Sequence, residues 1–143
     1  YYKTEIGGYS LLKGGSSSYR CSFRVGEMYL NSAEAALKNH HPEIAKMRLL
    51  QLLEKRYQST AYTQAETDIN AMDDNALLDE IYLQRRLELS YEGHRWFDIR
   101  RMEKNKRPIL TREYEGQTYH IEDNYPELTI KIPDEAREAN PYL

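Results

Sequence analysis

The spacing of apolar positions changes along the chain, and each change marks an element. From Phe23 to about Lys38, the residues Val25, Met28, Tyr29, Ser32, Ala33 and Ala36 recur at intervals of three and four, the period of one helix face. The small side chains of Ala33, Ala35 and Ala36 leave room for a neighbouring helix. Asn39-His40-His41-Pro42 ends this helix, because proline disfavours helical backbone in the residue before it. A second helix is expected from about Pro42 to Gln58, with proline in its first turn. Its apolar face is Ile44, Met47, Leu49 or Leu50, Leu53 and Tyr57. Two helices of similar length joined by a short turn make a helical hairpin. One such hairpin leaves an apolar face uncovered and needs neighbours.

Residues 59–73 are polar, with a short helix expected in Thr63–Ala71. A third long helix starts at Asp73-Asp74-Asn75, which supplies capping groups and negative charge for a helix N-terminus. Leu77, Leu78, Ile81, Tyr82 and Leu89 form its face, and it runs to Gly93. A fourth helix is expected over Arg95–Lys104, with Trp96, Phe97, Ile99 and Met102 as apolar positions, closed by Pro108. From Arg112 to Ile132 the texture is strand-like. Thr118–Ile121 and Leu128–Ile132 alternate across Glu122–Pro126, as in a hairpin or extended arm. Pro133 then opens a single helical turn that Asn140-Pro141 breaks. Upstream of Phe23 the breakers Gly7-Gly8 and Gly14-Gly15-Ser16-Ser17-Ser18 interrupt two β-prone pieces, Tyr9–Leu12 and Tyr19–Phe23. The organisation expected is an irregular lead-in (1–22), a helical core (23–104) and a loop and strand arm (105–143). The fold class is mainly α: tetratricopeptide-like helix pairs with irregular loops and a short C-terminal β-hairpin or arm.

Composition changes this picture little. A chain of 143 residues that is 40% hydrophobic and 30% charged can bury a core of its own. A net charge of −3 gives no pull toward nucleic acid or anionic lipid. No apolar run approaches the roughly 18 residues that span a bilayer. Tyr1-Tyr2-Lys3-Thr4-Glu5 does not read as a signal peptide, and without an initiator Met the sequence reads as a segment of a longer protein. The single Cys21 forms no internal disulfide. His40-His41, adjacent and without a clustered third ligand, reads as a solvated turn, so neither a metal nor a cofactor is expected. The unusual figure is thirteen Tyr against two Phe and one Trp. Tyrosine offers an apolar ring with a polar tip, suited to sugar stacking or to protein contact.

The densest stretch runs from Glu80 to Arg101, where both signs of charge alternate with large apolar groups. Arg85 falls on the face of Ile81, Tyr82 and Leu89, so its guanidinium should be partly buried and needs carboxylate partners. Glu88 and Glu92 are the nearest suppliers. Asp98 and Arg101 are three apart, a contacting distance on a helix. Gly93 suggests left-handed backbone and a change of direction. Glu88 with Glu92, or Glu92 with Asp98, would be a catalytic pair in a glycosidase reading. An Arg at helical spacing from every carboxylate points instead to an ion-pair lattice that locks two helices together.

This stretch resembles the most characteristic segment of SusD/RagB proteins, roughly I-x-x-E-R-R-x-E-L-x-F-E-G-x-R-W-x-D-L-R-R. Ile81, Arg85, Arg86, Glu88, Leu89, Glu92, Gly93, Arg95, Trp96, Asp98, Arg100 and Arg101 match it. Gln84, Tyr91 and Ile99 depart from the usual Glu, Phe and Leu, and Gln84 should weaken one ion pair. Arg24, Glu27, Tyr29, Leu30, Ala33, Glu34 and Ala35 resemble the family's R-x-x-E-x-Y-L-x-x-A-E-A. Ile132-Pro133 and Asn140-Pro141 are similar to its closing I-P-x-x-E-x-x-x-N-P, in a looser register.

The resemblance implies the C-terminal portion of a glycan-binding, non-catalytic lipoprotein on the outer surface of the bacterial outer membrane. Its lipid anchor would lie outside this segment. Its partners would be a glycan and a TonB-dependent transporter of the SusC type. Arg24, Glu27, Glu34, Arg85, Glu88, Glu92, Gly93, Arg95, Trp96, Asp98 and Arg101 are then scaffold residues. No ligand-contact residue carries over. Tyr114, Tyr119 and Tyr125 are candidates for ligand or transporter contact. Trp96, as the one Trp, is a stacking candidate whose place in the motif predicts burial. The alternative from a different class is a tetratricopeptide-like scaffold that binds a protein or peptide and no sugar.

Overall fold

The computed structural model describes residues 2–3, 9–10, 24–121 and 132–140. Its contacts fall into two compact units, residues 1–95 and 96–143. The elements are β1 (Tyr2–Lys3), β2 (Tyr9–Ser10), α1 (Val25–Lys38), α2 (Pro42–Leu53), α3 (Ser59–Ala71), α4 (Asp74–Glu88), α5 (Arg95–Arg101), β3 (Leu110–Tyr114), β4 (Gln117–Ile121) and α6 (Asp134–Ala139), with one 3₁₀ turn at Lys104–Lys106. The protein is mainly helical, as its periodicity predicts. β1 pairs antiparallel with β2; Tyr19–Phe23 and Cys21 lie outside the described residues.

In the first unit α1 and α2 form the expected helical hairpin, and α4 packs across α1. α1 begins at Arg24, whose extended backbone places its carbonyl to accept the N–H groups of Glu27 (3.0 Å) and Met28 (3.3 Å). It ends where His40 takes a φ of +60°. The His41 N–H then donates to Ala36 O (2.9 Å) and the His40 N–H to Leu37 O (3.0 Å), a Schellman closure in which glycine is usual. The histidine doublet is an exposed turn.

The face that α1 buries is rotated from the expected one. Gly26, Leu30, Ala33, Glu34 and Leu37 are buried, whereas Val25 is 73% and Met28 50% exposed. Val25, Met28, Tyr29 and Ser32 line an open surface hollow with Arg48. Hydropathy ranked the stripe wrongly because the buried one contains a charge and a glycine, whose partners come from elsewhere in the chain.

α2 likewise buries Ala45, Leu49, Leu52 and Leu53 and leaves Ile44 and Met47 outward. It stops at Leu53, short of Gln58. The N–H groups of Lys55 and Arg56 reach back only three residues, to Leu52 O (3.1 Å) and Leu53 O (2.9 Å). α3 starts four residues earlier than expected and buries one residue, Ile69. Its other faces are polar, so periodicity carried little signal.

α4 is the helix the sequence described best. Asp73 caps it by accepting the Ala76 N–H at 2.8 Å, and Leu77, Leu78, Ile81, Tyr82 and Leu89 are all buried. The helix ends at Glu88, before the expected Gly93. Turns follow, with left-handed φ at Tyr91 (+65°) and Gly93 (+81°).

In the second unit α5 ends at Arg101, three residues before the expected Lys104. Arg107 closes its C-terminus by donating to Met102 O and Arg100 O, each at 3.0 Å. Ile99 and Met102 are buried, while Phe97 is exposed. The β-hairpin is present, with Thr118–Ile121 paired to Leu110–Glu113; the expected partner, Leu128–Ile132, lies almost wholly outside the described residues. Glu115 and Gly116 both have positive φ (+49° and +73°), the requirement of a two-residue turn whose twist matches its strands. Glutamate is an uncommon first residue there, so the turn was not legible. α6 forms after Pro133 as expected. No helix among the described residues is long and apolar enough to cross a membrane.

Candidate functional site

Five of the expected motif residues, Arg24, Glu27, Arg85, Glu88 and Glu92, come together at the junction of α1 and α4. Arg24, at the N-terminal end of α1, donates through one guanidinium nitrogen to the Glu88 backbone carbonyl (2.8 Å) and to the Glu92 carboxylate. Its second nitrogen donates to Glu88 Oε1 at 2.6 Å. Arg56, in the turn after α2, forks onto the same carboxylate, with Nε on Oε2 and Nη2 on Oε1, each at 2.9 Å. That acceptor holds the already basic Arg56 further above its ordinary value, chiefly through the hydrogen bonds to Glu88. Gly26 makes room for this arrangement. A Cβ at that position would lie 2.5 Å from Glu88 Oε1 and 3.0 Å from Glu88 Cδ.

One helical turn away Arg85 is buried, 6% exposed. It donates to Asn31 Oδ1 at 2.6 Å and to Glu27 Oε1 at 2.9 Å. Burial of Arg85 was legible from helical phase, but α1 supplies these acceptors. Local spacing pointed to Glu88 and Glu92, and both of these accept from Arg24. A second polar cluster lies farther along the same pair of helices. Buried Glu34 accepts from Tyr82 Oη at 3.5 Å and pairs with Lys38 Nζ at 3.1 Å. Burial disfavours the Lys38 charge, but the hydrogen bond and charge of Glu34 outweigh it, so the ammonium is held above its ordinary 10.5.

Gln84, the departure from the family's usual Glu, is buried and donates to Tyr57 Oη (2.9 Å) and Glu80 Oε1 (2.8 Å). It fits as a donor. A glutamate there would set a second carboxylate against Glu80. The expected loss of an ion pair is thus replaced by two hydrogen bonds. Asp98, also buried, accepts from Arg101 Nε at 3.0 Å, as the spacing predicts. Gly93 takes its left-handed φ with open space around it.

A glycosidase pair must turn its carboxyl groups toward a substrate. Glu88 and Glu92 accept from Arg24, and their side chains are largely closed to solvent, 9% and 15% exposed. The cluster is therefore a fastening between helices. Asn31, Arg56 and Gly26 belong to it and were missed. A glycine near the start of an otherwise regular helix was the one local signal.

The ligand-contact candidates are elsewhere. Trp96 is half-buried, less enclosed than its place in the motif predicted. Tyr114 and Tyr119 are exposed on the β3–β4 hairpin, and Tyr125 lies outside the described residues.

The family model described as "SusD family" matches residues 7–143. A SusD-like protein of Formosa agariphila is 27% identical over 127 residues, which is 89% of this chain but 23% of that protein. The chain thus spans about a quarter of the length of the curated relative it matches. The matched region contains both the α1 motif and the α4 motif whose arginines and carboxylates meet in the lattice, and the chain belongs to the SusD family.

Proposed function

We propose that this chain is part of a glycan-binding component of an outer-membrane nutrient uptake system, acting with a TonB-dependent transporter of the SusC type. The observation that carries this reading is membership of the SusD family across residues 7–143. Attachment to the outer cell surface through a lipid anchor elsewhere in the protein belongs to the same proposal. The helical unit acts as scaffold. Its charged residues fasten α1 to α4 and leave ligand contact to exposed side chains. The chain's part is binding without catalysis, in keeping with the Arg24 contacts to Glu88 and Glu92. Affinity electrophoresis and calorimetry of the full-length protein against a polysaccharide panel test it, and saturable binding to at least one glycan is expected. A second reading, a peptide-binding helical scaffold, is favoured by the outward Val25 and Met28 on α1. Binding to the transporter with no glycan binding at all would select that reading.

A further inference from the structure

The β3–β4 hairpin projects a patterned face. Its register pairs Tyr114 with Gln117, Arg112 with Tyr119 and Leu110 with Ile121. Side chains alternate along a strand, so Leu110, Arg112, Tyr114, Gln117 and Tyr119 share one face. Thr111, Glu113, Thr118 and His120 occupy the other. Residues 111–120 are exposed throughout, so both faces of this segment meet solvent. Tyr114 and Tyr119 are 55% and 51% exposed. Tyr119 Oη donates to Gln117 Oε1 at 3.0 Å, which fixes that ring beside its neighbour.

Arg112 sits directly across from Tyr119 and one pair from Tyr114. Among the described residues it has no carboxylate partner, and Glu113 points to the opposite face. Two rings at a diagonal cross-strand spacing of roughly 7 Å flank a guanidinium that is free to make a two-pronged contact.

We infer that this face is a subsite for an anionic sugar chain, bearing uronate carboxylates or sulfate esters. The inference rests on the glycan-binding reading above and deepens it. The tyrosine rings stack on the apolar faces of two sugar rings, Arg112 takes the anion, and Gln117 hydrogen-bonds hydroxyl groups. Charge complementarity selects this occupant: among the described residues of this hairpin face, Arg112 is the only charged one. A protein partner would require about 800 Å² from each side, more than one short hairpin face presents. The subsite is also prepared in advance. The Glu115-Gly116 turn and the cross-strand pairs hold the rings before any ligand arrives, which lowers the ordering cost of binding.

The test is calorimetry on the full-length protein with polygalacturonate, a sulfated galactan and a neutral galactan, using wild type and four variants. Tyr114→Ala and Tyr119→Ala should each weaken binding to an acidic polymer by roughly fivefold to tenfold. Arg112→Gln should weaken it by about tenfold, the size of one charge-assisted hydrogen bond, and leave neutral-polymer binding unchanged. Thr118→Ala, on the opposite face, should change nothing. Preference between the first two polymers tells carboxylate from sulfate. Wild-type binding that none of the first three variants alters overturns this subsite and leaves the glycan reading standing. Wild type that binds no glycan overturns both. Unchanged sugar binding with lost co-purification of the transporter would make the hairpin a protein contact and overturn the sugar subsite. Unaltered circular dichroism of the variants confirms that each remains folded.

Discussion

Arg24 and Glu88, 64 positions apart, are joined through both the backbone carbonyl and the carboxylate of the glutamate. One guanidinium thereby ties the start of α1 to the last turn of α4 and extends to Glu92 beyond it. An arginine fork suits this task because its donors are fixed in one plane and reach several acceptors at once.

Replacing Arg24 with Ala should cost about 2–3 kcal/mol, because partly enclosed carboxylates lose charge-assisted hydrogen bonds. Arg56→Ala should cost under about 1 kcal/mol, since an exposed ion pair is screened by water; the Arg56 side chain is 43% exposed against 25% for Arg24. Urea denaturation of the two variants checks the contrast. Equal losses would mean that Glu88 does not distinguish its two arginines.

Arg85 is more deeply enclosed. Arg85→Ala should destabilise by about 3–5 kcal/mol, the range for breaking a buried pair and leaving its partner uncompensated. Arg85→Lys should recover little of this, because one ammonium is a poor substitute for a planar fork spanning Asn31 and Glu27. A lysine variant that melts like wild type would show that charge alone matters here.

Gly26 reverses an ordinary rule. Glycine to alanine inside a helix usually gains up to about 1 kcal/mol. Here the added carbon meets the Glu88 carboxylate, which Arg24 and Arg56 hold in place, so Gly26→Ala should cost about 1–3 kcal/mol, as overpacking does. In the Glu88→Ala background the penalty should disappear. Thermal unfolding of the double-variant set measures that coupling.

Lys38 gives a pH signature. Its folded-state pKa is raised above 10.5 through Glu34, so the contact stabilises fully below the ordinary lysine value and fades as pH rises through the folded one. The difference in melting temperature between wild type and Lys38→Met should therefore be constant through neutral pH and shrink only in strong alkali. A difference that already falls between pH 6 and 8 would assign the effect to another group.

Much of the helical frame was readable because it depends on local chemistry. Asp73 as a cap, the buried stripe from Leu77 to Leu89, and the proline start of α2 all follow from residues within one or two turns. The two-residue turn of the β-hairpin was hidden because its first position is Glu115, where Asn or Asp is the usual sign.

By itself the sequence determined that the protein is helical and that Arg85 is enclosed, and it pointed to an ion-pair lattice between helices. Only the tertiary structure decided which faces of α1 and α2 are inside and which carboxylate each arginine takes. It also brought Tyr114 and Tyr119 onto one surface with Arg112. The reason is range. Capping and helical phase act over a few residues, but the choice of a buried stripe is made by its partners. Gly26 and Glu34 enter the interior because Glu88 and Tyr82, more than forty positions away, make their burial favourable.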